Sequence, residues 1–82
     1  PNPFNSSTTL HVYSLKNIFH HLSLKIYDIL GKCITTIPTS SFVIQGNEAT
    51  VQVQRKELNA GIYFFAIENN NQVISTGKLI VE

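Results

Sequence analysis

The stretch LNAGIYFFAI, residues 58–67, decides the fold that the sequence predicts. Side chains alternate between the two faces of a β-strand, so this run is apolar on both faces. Such a strand belongs in the middle of a sheet, where it is either covered on two sides or lies beside a partner surface. We therefore place it as the central strand of a sheet.

The start of this run also predicts one specific contact. Leu58, Gly61 and Tyr63 fall where immunoglobulin-like domains carry a tyrosine corner, in which a Tyr hydroxyl bonds the backbone a few residues upstream. We expect Tyr63 to be a buried ring with a satisfied hydroxyl.

Alternation of apolar and polar residues recurs on both sides of the central run, while no segment shows the spacing of an amphipathic helix. Six or seven short strands with turn residues between them predict an all-β protein, an immunoglobulin-like antiparallel β-sandwich of about seven strands. With 82 residues the chain forms one domain, residues 1–82. The predicted core comprises Leu10, Val12, Leu22, Leu24, Ile26, Val51, Val53, Tyr63, Phe65 and Val73.

Turn residues predict how the strands connect. Asp28 and Gly31 lie in a short turn between two antiparallel strands, with Asp28 capping the turn. The Asn run at 69–71 should join the last two strands as a hairpin. The stretches TSSF and QGNEA supply the Ser, Gly and Asn of connecting loops, and the strand register between Thr39 and Gly46 is left open.

Composition excludes several classes of function. Hydrophobic residues make up 43% of the chain and charged residues 13%, with six Lys and Arg against five Asp and Glu. These charges are scattered and form no basic stripe for phosphates, so nucleic acid is not an expected partner. No apolar run approaches the roughly 18 residues of a membrane helix, and membrane insertion is not expected.

No residue pattern predicts catalysis, a metal or a cofactor. The three histidines are His11, His20 and His21; the last two are adjacent and would point to opposite faces of a strand, so they cannot chelate one ion together. No Ser lies in a nucleophile elbow, and no Gly-rich phosphate loop is present. Cys33 is expected to be a partly buried small hydrophobe in a strand. Asn5 matches a glycosylation acceptor, but a role at the start of the first strand is favoured.

Four segments in order, PNPFNSSTTL, LKIYDILGK, LNAGIYFFAI and GKLIVE, resemble the C-terminal sorting domain of the type IX secretion system of Bacteroidota. The resemblance covers nearly the whole chain, and its last segment is the most specific. Thr39 to Gly46 and Cys33 depart from the family pattern. The residues that carry its structural motifs are Pro1, Asn2, Pro3, Asp28, Gly31, Leu58, Gly61 and Tyr63.

The resemblance implies a domain that ends a longer cargo protein and has no catalysis of its own. It would be recognised in the periplasm by type IX components, including an outer-membrane shuttle protein, and carried through the outer membrane. A sortase-like cysteine protease would then cut it off and leave the cargo secreted or at the cell surface. No cofactor is implied.

The last strand offers a physical route to that recognition, because an edge strand can accept a partner strand. The alternative for each residue of this strand is plain packing in the fold, and packing is favoured for Leu79 and Val81. Pairing of two copies through an exposed edge is left open. The residues expected to be recognised by the export machinery are Gly77, Lys78, Leu79, Ile80, Val81 and Glu82.

Two other functions compete with export. The chain would serve as an accessory module that binds carbohydrate or protein if Tyr13, Phe19 and Phe42 formed an exposed aromatic face. A structural spacer or adhesin repeat is the weakest reading, since nothing within the sequence repeats.

Overall fold

A computed structural model describes residues 3–15, 19–56 and 58–82, which form two antiparallel sheets. One sheet has the strand order β1-β5-β4 and the other β3-β2-β6-β7, which confirms the seven-stranded all-β fold. Pro1 and Asn2 of the predicted motif lie outside the described residues. The strands are β1 (Ser7–Tyr13), β2 (Leu22–Tyr27), β3 (Cys33–Ile37), β4 (Phe42–Gln45), β5 (Glu48–Gln54), β6 (Gly61–Asn69) and β7 (Gln72–Val81), and a short 3₁₀ helix spans Thr39–Ser41.

The core lies between the inward faces of the two sheets. The alternating pattern of β2 buries Leu22, Leu24 and Ile26 completely, and each contributes about 1.5–3 kcal/mol relative to an exposed side chain. Central β6 pairs with β2 on one side and β7 on the other, as the sequence predicts. Buried residues of the core are Phe4, Val12, Leu22, Leu24, Ile26, Phe42, Ala49, Val51, Val53, Tyr63, Ile67, Leu79 and Val81.

Two hairpins match their predicted turns. Asn70 and Asn71, with φ of 54° and 66°, turn β6 into β7, a geometry that Asn tolerates better than most residues. Between β2 and β3, one Asp28 carboxylate oxygen accepts hydrogen bonds from the N–H groups of Leu30 and Lys32, each 2.9 Å long. Gly31 adopts a φ of 86° in this turn, where an L side chain would be strained.

The segment between Thr39 and Gly46, whose strand register the sequence left open, contains the strand β4. β4 pairs with β5 from Phe42 opposite Val51 to Gln45 opposite Glu48, so only Gly46 and Asn47 remain as a turn. The polar residues on either side concealed this four-residue strand. Phe42 is consequently buried in the core. The prediction that it belongs to an exposed aromatic face is therefore wrong.

Val73 is 53% exposed, so its predicted place in the core is wrong. The β6–β7 ladder shifts register between Ile67 and Glu68: Ser75 lies opposite Ile67, and Val73 lies opposite Glu68. One extra residue on β7, Ile74, reverses the face on which Val73 projects. Ile74 packs against the core in its place.

Cys33 is exposed, in contrast to its predicted partial burial. It begins β3, the strand at the edge of the four-stranded sheet, next to a register shift between Ile26 and Tyr27 of β2. Most of β3 is exposed, and only Ile37 at its end is partly buried. Leu10 and Phe65, also predicted to be core, are partly buried and pack against it.

Candidate functional site

The last strand divides the predicted recognition segment between two faces. Leu79 and Val81 point into the core and are buried, whereas Lys78 is exposed and Ile80 is partly exposed on the opposite face. Leu79 lies opposite Tyr63 on β6, and Ile80 lies opposite Ile62. The segment therefore stabilises the fold with one set of side chains and presents the other set outward.

Phe4 covers the outer edge of β7 near its end. Its N–H donates to the carbonyl oxygen of Ile80 at 3.0 Å, and its carbonyl oxygen accepts from the N–H of Glu82 at 2.9 Å. This short parallel bridge to Val81 also places the buried Phe4 ring in the core. A partner strand adding to this edge near its end would compete with Phe4 for these hydrogen bonds.

Arg55 connects the last residue to the loop before β6. Its guanidinium donates to the carbonyl oxygen of Leu58 at 3.1 Å and to that of Glu82. The Leu58 N–H in turn donates to the carbonyl oxygen of Arg55 at 2.9 Å. Sequence reasoning did not select Arg55, because its partners are backbone atoms that leave no mark in the sequence.

The tyrosine corner is present as predicted. The Tyr63 hydroxyl donates to the carbonyl oxygen of Asn59 at 2.7 Å, and its ring is buried. Leu58 packs against the core beside it. Gly61 has a φ of 151°, outside the range that L side chains ordinarily adopt, which accounts for glycine at the start of β6.

The outer face of the four-stranded sheet has an apolar and a polar part. We call Tyr27, Ile62, Phe64 and Ile80 the outer patch; all four side chains are at least partly exposed. Further along the same face, the Lys25 ammonium lies 3.2 Å from the Glu68 carboxylate. That hydrogen-bonded carboxylate raises the pKa of Lys25.

The family model of the secretion system C-terminal sorting domain matches residues 1–82, the whole chain. The chain belongs to this family. Its function is therefore that of a type IX sorting signal, which directs a cargo protein across the outer membrane to the surface or the medium. In the comparisons with curated proteins and with solved structures, nothing matches.

This family is a secretion signal and not a catalytic family. In the described part of the sorting domain, no three His, Cys, Asp or Glu side chains gather into a group that would hold a metal ion. None of the helical structure described there has the length and hydropathy needed to cross a membrane.

Asn69 tethers the segment before β2. This buried residue ends β6, and its side-chain oxygen accepts hydrogen bonds from the N–H groups of His20 and His21, at 2.9 and 3.2 Å. The sequence presents Asn69 as one of three turn asparagines. Its contact with a segment almost fifty positions away therefore had no sequence signal.

His11, Tyr13 and Glu48 form a polar cluster on the outer side of the three-stranded sheet. The Nδ1 atom of His11 lies 2.9 Å from a Glu48 carboxylate oxygen. Hydrogen bonds from His11 and then Tyr13 lower the pKa of Glu48, and the same carboxylate raises the pKa of Tyr13. All three lie at the surface, where such interactions contribute little to stability.

A half-open cleft of about 770 Å³ lies between β3 and the tyrosine corner. Its lining mixes apolar residues such as Ile37 and Val53 with polar ones such as Asp28, Thr35 and Arg55. The aromatic residues proposed for ligand binding are elsewhere and do not share a face: Tyr13 is exposed, Phe19 packs against the core and Phe42 is buried. The exposed aromatic face of the binding-module alternative is therefore not formed.

Proposed function

We propose that the sorting domain is recognised in the periplasm as a folded unit, through the outward side of β7. Within residues 77–81, Lys78 and Ile80 are the side chains that a receptor meets without unfolding the sandwich. Glu82 follows them at an exposed position. The alternating exposure of residues 78–81 is the observation that carries this proposal.

The other apolar residues of the recognition segment, and Gly77, contribute to export by stabilising the fold. Leu79 and Val81 fill the core, and Gly77 makes room for a neighbouring ring. Their substitution would weaken the sandwich and thereby the signal, since a receptor for a folded surface requires that surface to be formed. Their effect on export is thus indirect.

The partners follow from the family. An outer-membrane shuttle protein would carry the domain outward, and a sortase-like cysteine protease would release it after transit, leaving the cargo secreted or at the surface. Two copies could also pair through β3, which is an edge strand. Dimerisation through this edge is a proposal of its own and is not required for export.

The test must separate recognition from folding. Deleting residues 78–82 removes Leu79 and Val81 from the core, so retention of the cargo would not distinguish the two. We suggest Lys78→Glu with Ile80→Thr in a cargo protein that carries the domain, because both side chains lie outside the core and Thr retains the preference for a strand. Lys32→Glu with Val43→Thr makes the same kinds of change at exposed positions outside β7.

The expected result is folded cargo that accumulates in the periplasm, with surface cargo reduced about tenfold if the contacts contribute 1.4 kcal/mol to receptor binding. The control should be delivered like the unaltered protein. Cell fractionation and protease accessibility of the cargo measure both. Normal delivery of the Lys78 and Ile80 variant would contradict recognition through β7.

A further inference from the structure

We propose that the half-open cleft between β3 and the tyrosine corner binds an extended segment of a partner protein, which pairs through its backbone with an unpaired edge of β5. This site is separate from the recognition surface on β7, because β3 and β7 are the two opposite edges of the four-stranded sheet. The proposal goes beyond recognition through β7 and does not rest on it.

The unpaired edge arises because the chain changes sheets partway along the sandwich. β3 pairs with β2 of the four-stranded sheet, the chain crosses over at residues 38–41, and β4 then pairs with β5 of the three-stranded sheet. This pairing covers β5 only from Glu48 to Val51. On the side away from β1, no described strand pairs with residues 52–54 of β5, and we call this side of those residues the open edge.

The hydrogen bonds to the chain at β1 show which backbone groups belong to the open edge. The N–H of Arg55, directly after β5, donates to the carbonyl oxygen of Ser6 at 2.8 Å. Successive residues of an antiparallel strand direct their backbone groups to alternate sides. The N–H and C=O groups of Gln52 and Gln54 therefore point away from β1, and both residues line the cleft.

The four-stranded sheet has a matching gap that the protein closes with its own side chain. β2 extends beyond the end of β3, and there the Thr39 hydroxyl donates to the carbonyl oxygen of Leu22. Within residues 3–15, 19–56 and 58–82, nothing comparable bonds the backbone of the open edge. An unpaired strand edge beside a cleft is a position where an incoming strand gains hydrogen bonds.

The cleft has the size and the lining that an extended segment needs. Its volume of about 770 Å³ lies within the range of roughly 300–1,000 Å³ that ligand sites occupy. Residues 52–55 border it, a length of about 13 Å at 3.3 Å per residue. Ile37 and Leu58, which pack against the core, supply apolar area to its lining.

Sheet geometry defines the chemistry of the occupant. A segment that pairs with Gln54 would direct alternate side chains to the face on which Val53 is buried. Those positions suit apolar side chains such as Val or Ile, because Thr35 and Ile37 of β3 also line the cleft. Tyr63, the aromatic residue of the lining, is buried and offers no ring face to a sugar. The occupant is therefore a peptide strand with apolar residues at alternate positions.

The experiment uses the complete 82-residue chain and, as the probe, a short peptide of alternating Thr and Val with blocked ends. Amide exchange followed by NMR reports which strand edge the peptide covers. Gln54→Pro removes an N–H of the open edge without removing a bond to β1, and strands tolerate proline at such edge positions. The matched control is Thr9→Pro in β1, an exposed position opposite Gln52 whose N–H points away from β5 by the same alternation.

We expect the peptide to slow amide exchange at Gln52 and Gln54 and to leave the outer edges of β1 and β7 unchanged. Gln54→Pro should weaken binding about tenfold, the change that 1.4 kcal/mol produces, while Thr9→Pro should bind as the natural chain does. Should Gln54→Pro not fold, Thr35→Trp replaces it, because its ring would fill the cleft from β3 and leave β5 unaltered. The same tenfold loss is expected there.

Three results would overturn the proposal. The first is unchanged exchange at Gln52 and Gln54 with millimolar peptide, and the second is an equal loss of binding in Thr9→Pro. The third is slowed exchange of these two amides at high protein concentration without peptide, because a second copy would then occupy the cleft. Since binding is measured on the separate chain, each result leaves recognition through β7 to be decided by cargo delivery.

Discussion

The aromatic ring of Phe65 lies against the backbone of Gly77, its direct partner across the β6–β7 ladder. A Cβ atom at Gly77 would stand 2.6 Å from both Cε2 and Cζ of that ring. Packing of the Phe65 ring therefore explains why residue 77 is a glycine, without any contact to a receptor. Rings commonly cover glycines in this way where strands need a specific register.

Gly77→Ala is expected to destabilise the domain by about 1–3 kcal/mol, because the Phe65 ring must leave its position to admit a methyl group. Chemical denaturation of the 82-residue chain measures the change. Thr76→Ala, at the exposed neighbouring position, is the control. Phe65→Leu should reduce the cost of the alanine, and a cost that is the same in both backgrounds would argue against this contact.

Tyr63→Phe should lower the free energy of unfolding by about 0.5–1.5 kcal/mol, since it removes only the hydroxyl that donates to Asn59. Tyr63→Ala should cost about 3–5 kcal/mol, because it also leaves a cavity where the ring is buried. Urea unfolding separates the two. If the Phe variant were as stable as the natural protein, the hydrogen bond from Tyr63 to Asn59 would not contribute to stability.

Asn69→Ala should cost about 1–3 kcal/mol, because the N–H groups of His20 and His21 lose their acceptor. Asn69→Asp retains an oxygen acceptor at the same position and is the matched control. Amide exchange at residues 20 and 21 should increase in the Ala variant and much less in the Asp variant. The same exchange rates in both variants would contradict the tether.

Glu48 should make a small, pH-dependent contribution to stability. Its carboxylate has a pKa lowered from 4.5 in the folded chain by hydrogen bonds from His11 and then Tyr13. Its contribution is therefore present above the unfolded pKa and is lost as pH falls through the lower folded value. The difference in melting temperature between the natural chain and Glu48→Gln should shrink below about pH 4, near the usual Glu pKa. A difference in melting temperature that does not change with pH would contradict a stabilising role of the ionised Glu48 carboxylate.

The strands and the corner could be predicted because both depend on local pattern. Alternation places Leu22, Leu24 and Ile26 in the core without knowledge of their partners, and the spacing from Leu58 to Tyr63 is a compact signature. The turn at Asp28 and Gly31 follows from the backbone geometry that those residues favour. Each of these features is decided within about ten residues.

The errors arose where distant partners decide the outcome. Val73 changes face because of one extra residue in the ladder, and β4 is stable because β5 pairs with it and the core receives Phe42. Phe4 and Asn69 contact segments far away in the sequence. For the recognition segment, alternation along the strand separates Leu79 and Val81 from Ile80, and the fold shows that the first two are the residues that face the core.

The bridge between Phe4 and residues 80–82 joins positions at nearly opposite limits of the chain. Closing so long a loop carries an entropic cost, and the bridge needs β7 as its partner, so we expect this contact to form late in folding. Without residues 79–82 the sandwich would lack Leu79 and Val81 in its core and the backbone partners of Phe4. The first and last described segments of the domain therefore hold each other closed, and opening either one exposes the apolar surface of the other.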